Sequence, residues 1–510
     1  MPYQSGVKAM QQLSFIDNAF LLAENPRTPN HLCMVDVYDP STAPYGPPTF
    51  EQILAKVQEC LPVAPSLRRR AVNVPLDLDR AYWVEDPDFD LEFHVRHLAL
   101  PRPGDWHQLC TQVARLHARP LDLSRPPWEM TVIDGLDSLA SLPPGCFATV
   151  LKVHHAAIDG VSGVELLTAI HDLEPDQPKH LPADSWRPEV VPSAQWLVQQ
   201  AMAHAVLNPI NSARFVLANA PPLGRDLVRM VRRRSAPLRV VRTRFNQRVS
   251  AHRVFDEVRC PLGDLKRAKA AVPGATLNDV CLSIIGGAMH QYLDSVGEPP
   301  SEPLITLVPV STRTPEQAGA GGNQVSMMRV SMHTDIADPV ARLDAIRRET
   351  ADKKAAQQGV AIPVLLDIAR SLPGALIGTT MRNMSSFSDR APVMANTIVT
   401  NVPGSPVPLY FLGSKAVRVT GCVPLTDGIG LFHCVSSYCG EFAFMVTADR
   451  DMLPDPAPYM RCLQDAIEQQ ARAAPDLPVA GSSAKAPPGT SAKVAPRAKA
   501  APGAKVPEPA

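Results

Sequence analysis

Two stretches of this chain, residues 1–183 and 251–473, each alternate short apolar runs of strand length with longer runs of helical apolar spacing, and a stretch of different texture separates them. That alternation constrains the fold more than any other feature, because it demands α/β layers twice over, around separate cores. In the first stretch HLCMVDVYD (31–39) and CFATVLKVH (146–154) read as strands, while FEQILAKVQECL (50–61) and HQLCTQVARLHA (107–118) read as helices. VSGVELLTAIHDL (161–173) reads as an amphipathic helix beginning near Ser162. In the second stretch PLITLVPVST (303–312), NQVSMMRVSMH (323–333), NTIVTNVPG (396–404) and FAFMVTAD (442–449) read as strands. LNDVCLSIIGGAMHQYL (277–293), PVARLDAIRRETADKKAA (339–356) and PAPYMRCLQDAIEQQARA (456–473) read as helices. A chain of 510 residues is also too long for one ordinary core.

The separating stretch, 184–250, carries proline-flanked helical patches and the basic run RDLVRMVRRRSAPLRVVRTRFNQR (225–248). That run is either a solvated linker helix or a basic face for lipid headgroups or phosphates. Residues 474–510 are mostly Ala, Pro, Lys, Gly and Ser, too poor in large apolar side chains to offset the entropy of ordering, and are predicted to be disordered. Fifty basic side chains balance fifty acidic ones, so nothing global points to nucleic acid. The ten cysteines form no C-x-x-C pair, the pattern of reduced thiols rather than a disulfide frame. The N-terminus lacks the apolar core of a signal peptide, and no apolar run reaches the roughly 18 residues of a spanning helix. The expectation is a cytoplasmic protein that meets a membrane only at its surface.

Chemistry concentrates in KVHHAAIDGVSG (152–163), at a junction of strand, short loop and helix. His154 continues the strand alternation and should point into the fold, which leaves His155 the outward position. An imidazole with a pKa near 6.5 is suited to taking a proton from a hydroxyl or thiol at neutral pH. Asp159, in a turn closed by Gly160, has three readings: it orients a histidine as in a triad, it caps the following helix, or it pairs with an arginine and fixes the loop. A metal site is disfavoured, since it needs a third ligand and a suitable second shell, and adjacent strand residues face opposite ways. A pair of hydrogen-bonded core histidines is the plain alternative.

HHAAIDG (154–160) resembles the HHxxxDG signature of CoA-dependent acyltransferases and condensation domains. RPLDLSRPPWEMTVIDGL (119–136) resembles the P-L-x-x-x-x-P-L-W-E block of the bacterial wax ester synthase/diacylglycerol acyltransferase family, with Pro127 where leucine is usual. GATLNDVCLSIIGGAMHQYL (274–293) resembles that family's Asn-Asp block, and LSFIDNAFLLAENPRTPNHL (13–32) its N-terminal opening. TNVPGSP (400–406) resembles its N-V-P-G element, with Ser405 where proline is usual. The resemblance runs in order from about 13 to 470 and leaves the tail outside.

The resemblance implies an α/β fold of two chloramphenicol-acetyltransferase-like lobes, 1–183 and 251–473, joined by a helical connector, 184–250, with the active site in a tunnel between them. It implies an O-acyltransferase that moves the acyl group of acyl-CoA to diacylglycerol, giving triacylglycerol, or to a long-chain alcohol, giving a wax ester. His155 would be the general base, with His154, Asp159, Gly160, Asn278 and Asp279 in support. Asn278 either caps its helix or faces the oxyanion, and Pro126 and Trp128 pack beside the cleft. No metal or cofactor is implied; acyl-CoA is a co-substrate. Insoluble acceptors imply peripheral contact with the inner face of the plasma membrane or with lipid inclusions, for which the arginine run and IPVLLDIARSLPGALIG (362–378) are candidates, although the latter also reads as core. Two other functions remain open. A condensation-type acyltransferase is opposed by the Asn-Asp block, and an inactive lipid-droplet scaffold by the intact His155 and Asp159.

Overall fold

Near-continuous apolar runs become the central strands. The computed structural model describes residues 10–140, 142–157, 169–176, 182, 184, 186–188, 190–218, 239–311, 325–357 and 393–473. All of these fall in one compact unit, Met1–Pro475. The strands in chain order are β1 (Gln11–Gln12), β2 (His31–Asp39), β3 (Arg69–Val72), β4 (Tyr82–Glu85), β5 (Val95–Ala99), β6 (Trp128–Leu136), β7 (Cys146–His154), β8 (Arg253–Pro261), β9 (Ile305–Ser311), β10 (Val325–Ser331), β11 (Thr397–Val402), β12 (Tyr410–Phe411), β13 (Ser414–Cys422), β14 (Leu431–Tyr438) and β15 (Glu441–Asp449). The helices are α1 (Phe15–Ala23), α2 (Phe50–Cys60), α3 (Leu91–His94), α4 (Trp106–Ala118), α5 (Ala194–Ala218), α6 (Leu262–Ala270), α7 (Leu277–Ser295), α8 (Pro339–Gln357) and α9 (Ala457–Arg472).

Two six-stranded sheets carry the fold, one in the order β12-β13-β2-β7-β6-β5 and the other β10-β9-β11-β14-β15-β8. β7 lies between antiparallel β2 and β6 and is buried at every position, which is why its sequence is mostly apolar instead of alternating, with Thr149, Lys152 and His154 its buried polar residues. α2 is capped by Thr49 and α4 by Asp105, each in a capping box, and their apolar stripes (Ile53, Val57, Cys60; Leu109, Val113, Leu116) close onto the first sheet. In the second sheet α7 and α9 bury Val280, Ile284, Leu463 and Ile467 in one core with Val435, Phe442 and Phe444 of the strands.

β12 and β13 belong in sequence to the second half, yet β13 pairs with β2, from Lys415 opposite Asp39 to Cys422 opposite Cys33. A third apolar cluster therefore unites the sheets: Val35 and Val37 of β2 and Leu109 of α4 pack with Phe255 of β8, Cys434 of β14 and Met445 of β15. α4 is fastened to β8 by the Trp106 indole N–H, which donates to Asp256 at 2.8 Å. The helical part of the connector, α5, docks on the small sheet β1-β4-β3, with Leu197 and Ala201 against Val74, Tyr82 and Val84. The helix expected over 161–173 lies outside the described residues except for its end, as do 225–238 of the arginine run, 362–378 and the tail from 474. All ten cysteines are free thiols, eight of them buried.

Candidate active site

β7 ends at His154, and the chain turns at once, Ala157 N–H bonding back to the His154 carbonyl at 2.9 Å. His154 is fully buried. Its Nδ1 accepts the Ala156 N–H at 3.1 Å, so the ring proton sits on Nε2 and is donated to Glu24 Oε2 at 2.7 Å. With both nitrogens engaged, this ring has no lone pair for a metal. Its strand partner His31 donates from Nε2 to the His117 carbonyl at 2.7 Å, and burial holds His31 well below its ordinary pKa and pushes His117 down to about 3. His31 and His117 are thus neutral imidazoles beside the strand end.

His155 is partly exposed. Its N–H donates to the Asn30 carbonyl at 2.8 Å, and its ring stacks on Phe20 with centroids 4.1 Å apart and planes inclined by 23°. Nδ1 is buried, and no other described residue hydrogen-bonds it. Burial lowers the pKa of this ring from 6.5, opposed by a hydrogen bond to its own backbone and helped by the neighbouring His154. At neutral pH it is an unprotonated base. Asp159 and Gly160 lie outside the described residues.

The sequence blocks meet in two groups. Trp128 stands opposite Val153 in the β6–β7 pairing, and the Pro127 carbonyl accepts the His154 N–H at 2.9 Å, so the Pro-Pro-Trp block lies against the histidine motif. The N-terminal block supplies Phe20, Glu24 and Asn30 to the same place. Separately, Asn278 Oδ1 of the Asn-Asp block accepts from Asn401 Nδ2 of the N-V-P-G element at 2.5 Å. Gly404 of that element lies where a Cβ would collide with the Ser437 carbonyl, which explains the glycine. Among the described residues neither Asn278 nor Asn401 hydrogen-bonds to a histidine.

One expectation is corrected. Asn278 does not cap its helix: the N-cap is Thr276, whose hydroxyl bonds the Asp279 N–H at 3.3 Å. The buried Asp279 carboxylate answers it, accepting from Thr276 N at 2.8 Å and from the Thr276 and Thr350 hydroxyls at 2.7 Å each. Thr276 wins the cap because its hydroxyl lies three residues before an acid that completes the reciprocal box. Asp279 is therefore committed to the helix terminus, whereas Asn278, with Oδ1 taken by Asn401, keeps its Nδ2 donor unengaged among the described residues.

Sequence reasoning assigned no chemistry to Glu24, Phe20 or Arg27. Arg27 forms a two-pronged ion pair with Asp427 at 3.0 and 3.1 Å and donates to the Val249 carbonyl at 2.7 Å, tying the turn after α1 to the second half of the chain. A signal was present: Glu24 interrupts an apolar helix just before an Asn-Pro turn.

The family model of the wax ester synthase/diacylglycerol acyltransferase catalytic domain matches residues 13–281, and that of the WS/DGAT C-terminal domain residues 321–470. A Mycobacterium tuberculosis protein provisionally named a diacylglycerol O-acyltransferase is 31% identical over 456 residues, 89% of each chain. Among solved structures, a wax ester synthase/diacylglycerol acyltransferase from Marinobacter aquaeolei VT8 is similar in fold, with a TM-score of 0.63 at 23% identity over 91% of this chain and all of that one. The first condensation domain of the calcium-dependent antibiotic synthetase reaches a TM-score of 0.56 at 16% identity over 92% of this chain and 98% of its own.

Proposed function

The chain belongs to the wax ester synthase/diacylglycerol acyltransferase family, and from that premise we propose that it transfers the acyl group of acyl-CoA to the hydroxyl of diacylglycerol or a long-chain alcohol, with His155 as general base. The observation that carries the assignment of the base is the state of His155: a partly exposed imidazole at a strand end, held neutral by burial, with Nδ1 enclosed. Nε2 is then the nitrogen that meets the acceptor. It takes the hydroxyl proton as the oxygen bonds to the thioester carbonyl carbon, and the tetrahedral intermediate expels CoA, whose sulfur takes that proton back. Asn278, with its unengaged Nδ2, is a fitting donor to the polar part of a substrate, and Asp279 holds the helix that presents it.

Purified protein given radiolabelled palmitoyl-CoA with dioleoylglycerol in vesicles, or with hexadecanol, should yield labelled ester and one free CoA per ester. No ester from either acceptor would overturn the reading. Because burial holds the pKa of His155 below 6.5, kcat/KM should fall on the acid side only as pH drops below that value. An acid limb above it would contradict the base assignment.

Peripheral contact with a lipid surface is supported by α5 and the turn beside it. No helix among the described residues is long and apolar enough to cross a membrane. Residues 194–213 of α5 nevertheless contain no Lys, Arg, Asp or Glu, and outside its packed face Met202 is 65% and Val206 64% exposed. The neighbouring turn, pinned to the helix by His204 and Asp79 at 2.6 Å, projects Leu76 at 85% exposure. Exposed apolar side chains of this kind suit the boundary between headgroups and acyl chains. Wild-type protein should sediment with the acceptor-loaded vesicles, and a Met202→Asp/Val206→Asp variant should stay in the supernatant; equal sedimentation would remove this edge from the reading.

A further inference from the structure

α1 and the turn that follows it touch both histidines of the site, and they touch them differently. Phe20 stacks on His155, and the same residue's carbonyl accepts from Asn30 Nδ2 at 2.8 Å, while the Asn30 carbonyl receives the His155 N–H. Glu24, the C-cap residue of α1, bonds His154, and only 9% of its side chain is exposed. A mostly buried carboxylate is costly to desolvate, so its placement against one imidazole N–H calls for a reason.

The hydrogen bonds on His154 supply one. Its ring is the link between Glu24 on one side and the Ala156 N–H on the other. The Ala156 bond, with that from Ala157 N to the His154 carbonyl, folds residues 154–157 into the turn that aims His155. If the Nε2 proton loses its acceptor, the ring is free to rotate. The Ala156 N–H then loses Nδ1, and the turn no longer sets the direction of the His155 side chain. A carboxylate also fixes the tautomer: it accepts only from Nε2–H, which leaves Nδ1 as the acceptor the turn needs.

We propose that Glu24 is a positioning residue for acyl transfer, acting through His154 to hold the His155 ring against Phe20. This rests on His155 being the base, as proposed above. The arrangement is anchored beyond the turn as well. Val249 and Asp427, which Arg27 grips, are bonded to each other at 3.0 Å, and Arg253 donates to the Arg27 carbonyl, so Glu24 sits three residues from a fixed point.

The test compares two replacements of similar size in the full-length protein. Glu24→Gln keeps an oxygen acceptor for Nε2–H, whereas Glu24→Met fills the space without one. Displacement of a reacting group by about 1 Å costs on the order of 10²-fold in rate, so Glu24→Met should lower kcat by roughly 10- to 100-fold with the KM for palmitoyl-CoA little changed. Glu24→Gln should recover most of that loss. A crystal structure of Glu24→Met should show the His155 ring parted from Phe20. Should Glu24→Met not fold, Glu24→Asp, one methylene too short to reach, carries the same expectation. Wild-type kcat in Glu24→Met, an equal loss in Glu24→Gln, or an undisturbed His155 ring in the crystal would each overturn the proposal. If the wild-type protein esterifies neither acceptor, the functional reading falls, and the crystal comparison still decides whether Glu24 positions the ring.

Discussion

Replacing His155 with alanine should lower kcat by about 10²–10⁴-fold, the range typical for loss of a general base. That is a loss of about 3–5 kcal/mol of transition-state stabilisation. The KM for palmitoyl-CoA should move little, because the base acts on the acceptor's proton and not on the thioester's binding. Residual turnover should stay above the uncatalysed rate, since holding two substrates together and polarising the carbonyl do not depend on the imidazole. The fold should survive: the ring is partly exposed, no other described residue hydrogen-bonds its Nδ1, and it packs as a stacked pair with Phe20. Such a pair is worth about 0.5–1.5 kcal/mol beyond burial. Steady-state kinetics and thermal melts on one preparation separate the two effects. Unchanged turnover in a folded His155→Ala protein would remove His155 from the chemistry.

How far the fold could be read in advance depended on where each element buries its faces. β2 and β7 were legible to the residue, because a strand that buries most of its positions is written as a mostly apolar run of strand length. α2 and α4 were legible from their apolar stripes to within a residue or two. β8 was not, since Asp256, Glu257 and Arg259 interrupt it, and they are accommodated only by contacts from distant elements such as Trp106 and Arg418. The passage of β13 into the first sheet has no local signal at all, as its pairing with β2 joins residues far apart in sequence. The same division runs through the site. His154 and His155 announce themselves within one short motif, but the acceptor of the His154 proton lies 130 residues away, and the Arg27–Asp427 pair spans 400. Contacts of that separation become visible only when the chain is folded.

Trp128→Ala should be the most destabilising single change at the edge of the site, costing about 3–5 kcal/mol, as large-to-small replacements of buried aromatics do. Trp128 is 2% exposed and held on three sides. Its indole N–H donates to the Leu67 carbonyl at 2.7 Å, its ring face lies on His94 with centroids 4.6 Å apart and planes inclined by 13°, and its carbonyl accepts from His94 Nδ1 at 2.7 Å. Alanine would keep only the last of these, leaving a cavity and an unpaired carbonyl at Leu67. Trp128→Phe, which retains most of the ring but not the donor, should cost less, about 1–2 kcal/mol, mainly for the lost hydrogen bond. Because Trp128 faces Val153 and the preceding Pro127 carbonyl takes the His154 N–H, strain here is transmitted directly to the end of β7. Urea melts should therefore rank wild type above Trp128→Phe above Trp128→Ala, with kcat falling in the same order while the protein is still folded. A Trp128→Phe protein as stable as wild type but catalytically dead would instead place the indole N–H in the chemistry. That result is hard to reconcile with a donor already bound to Leu67 in the interior.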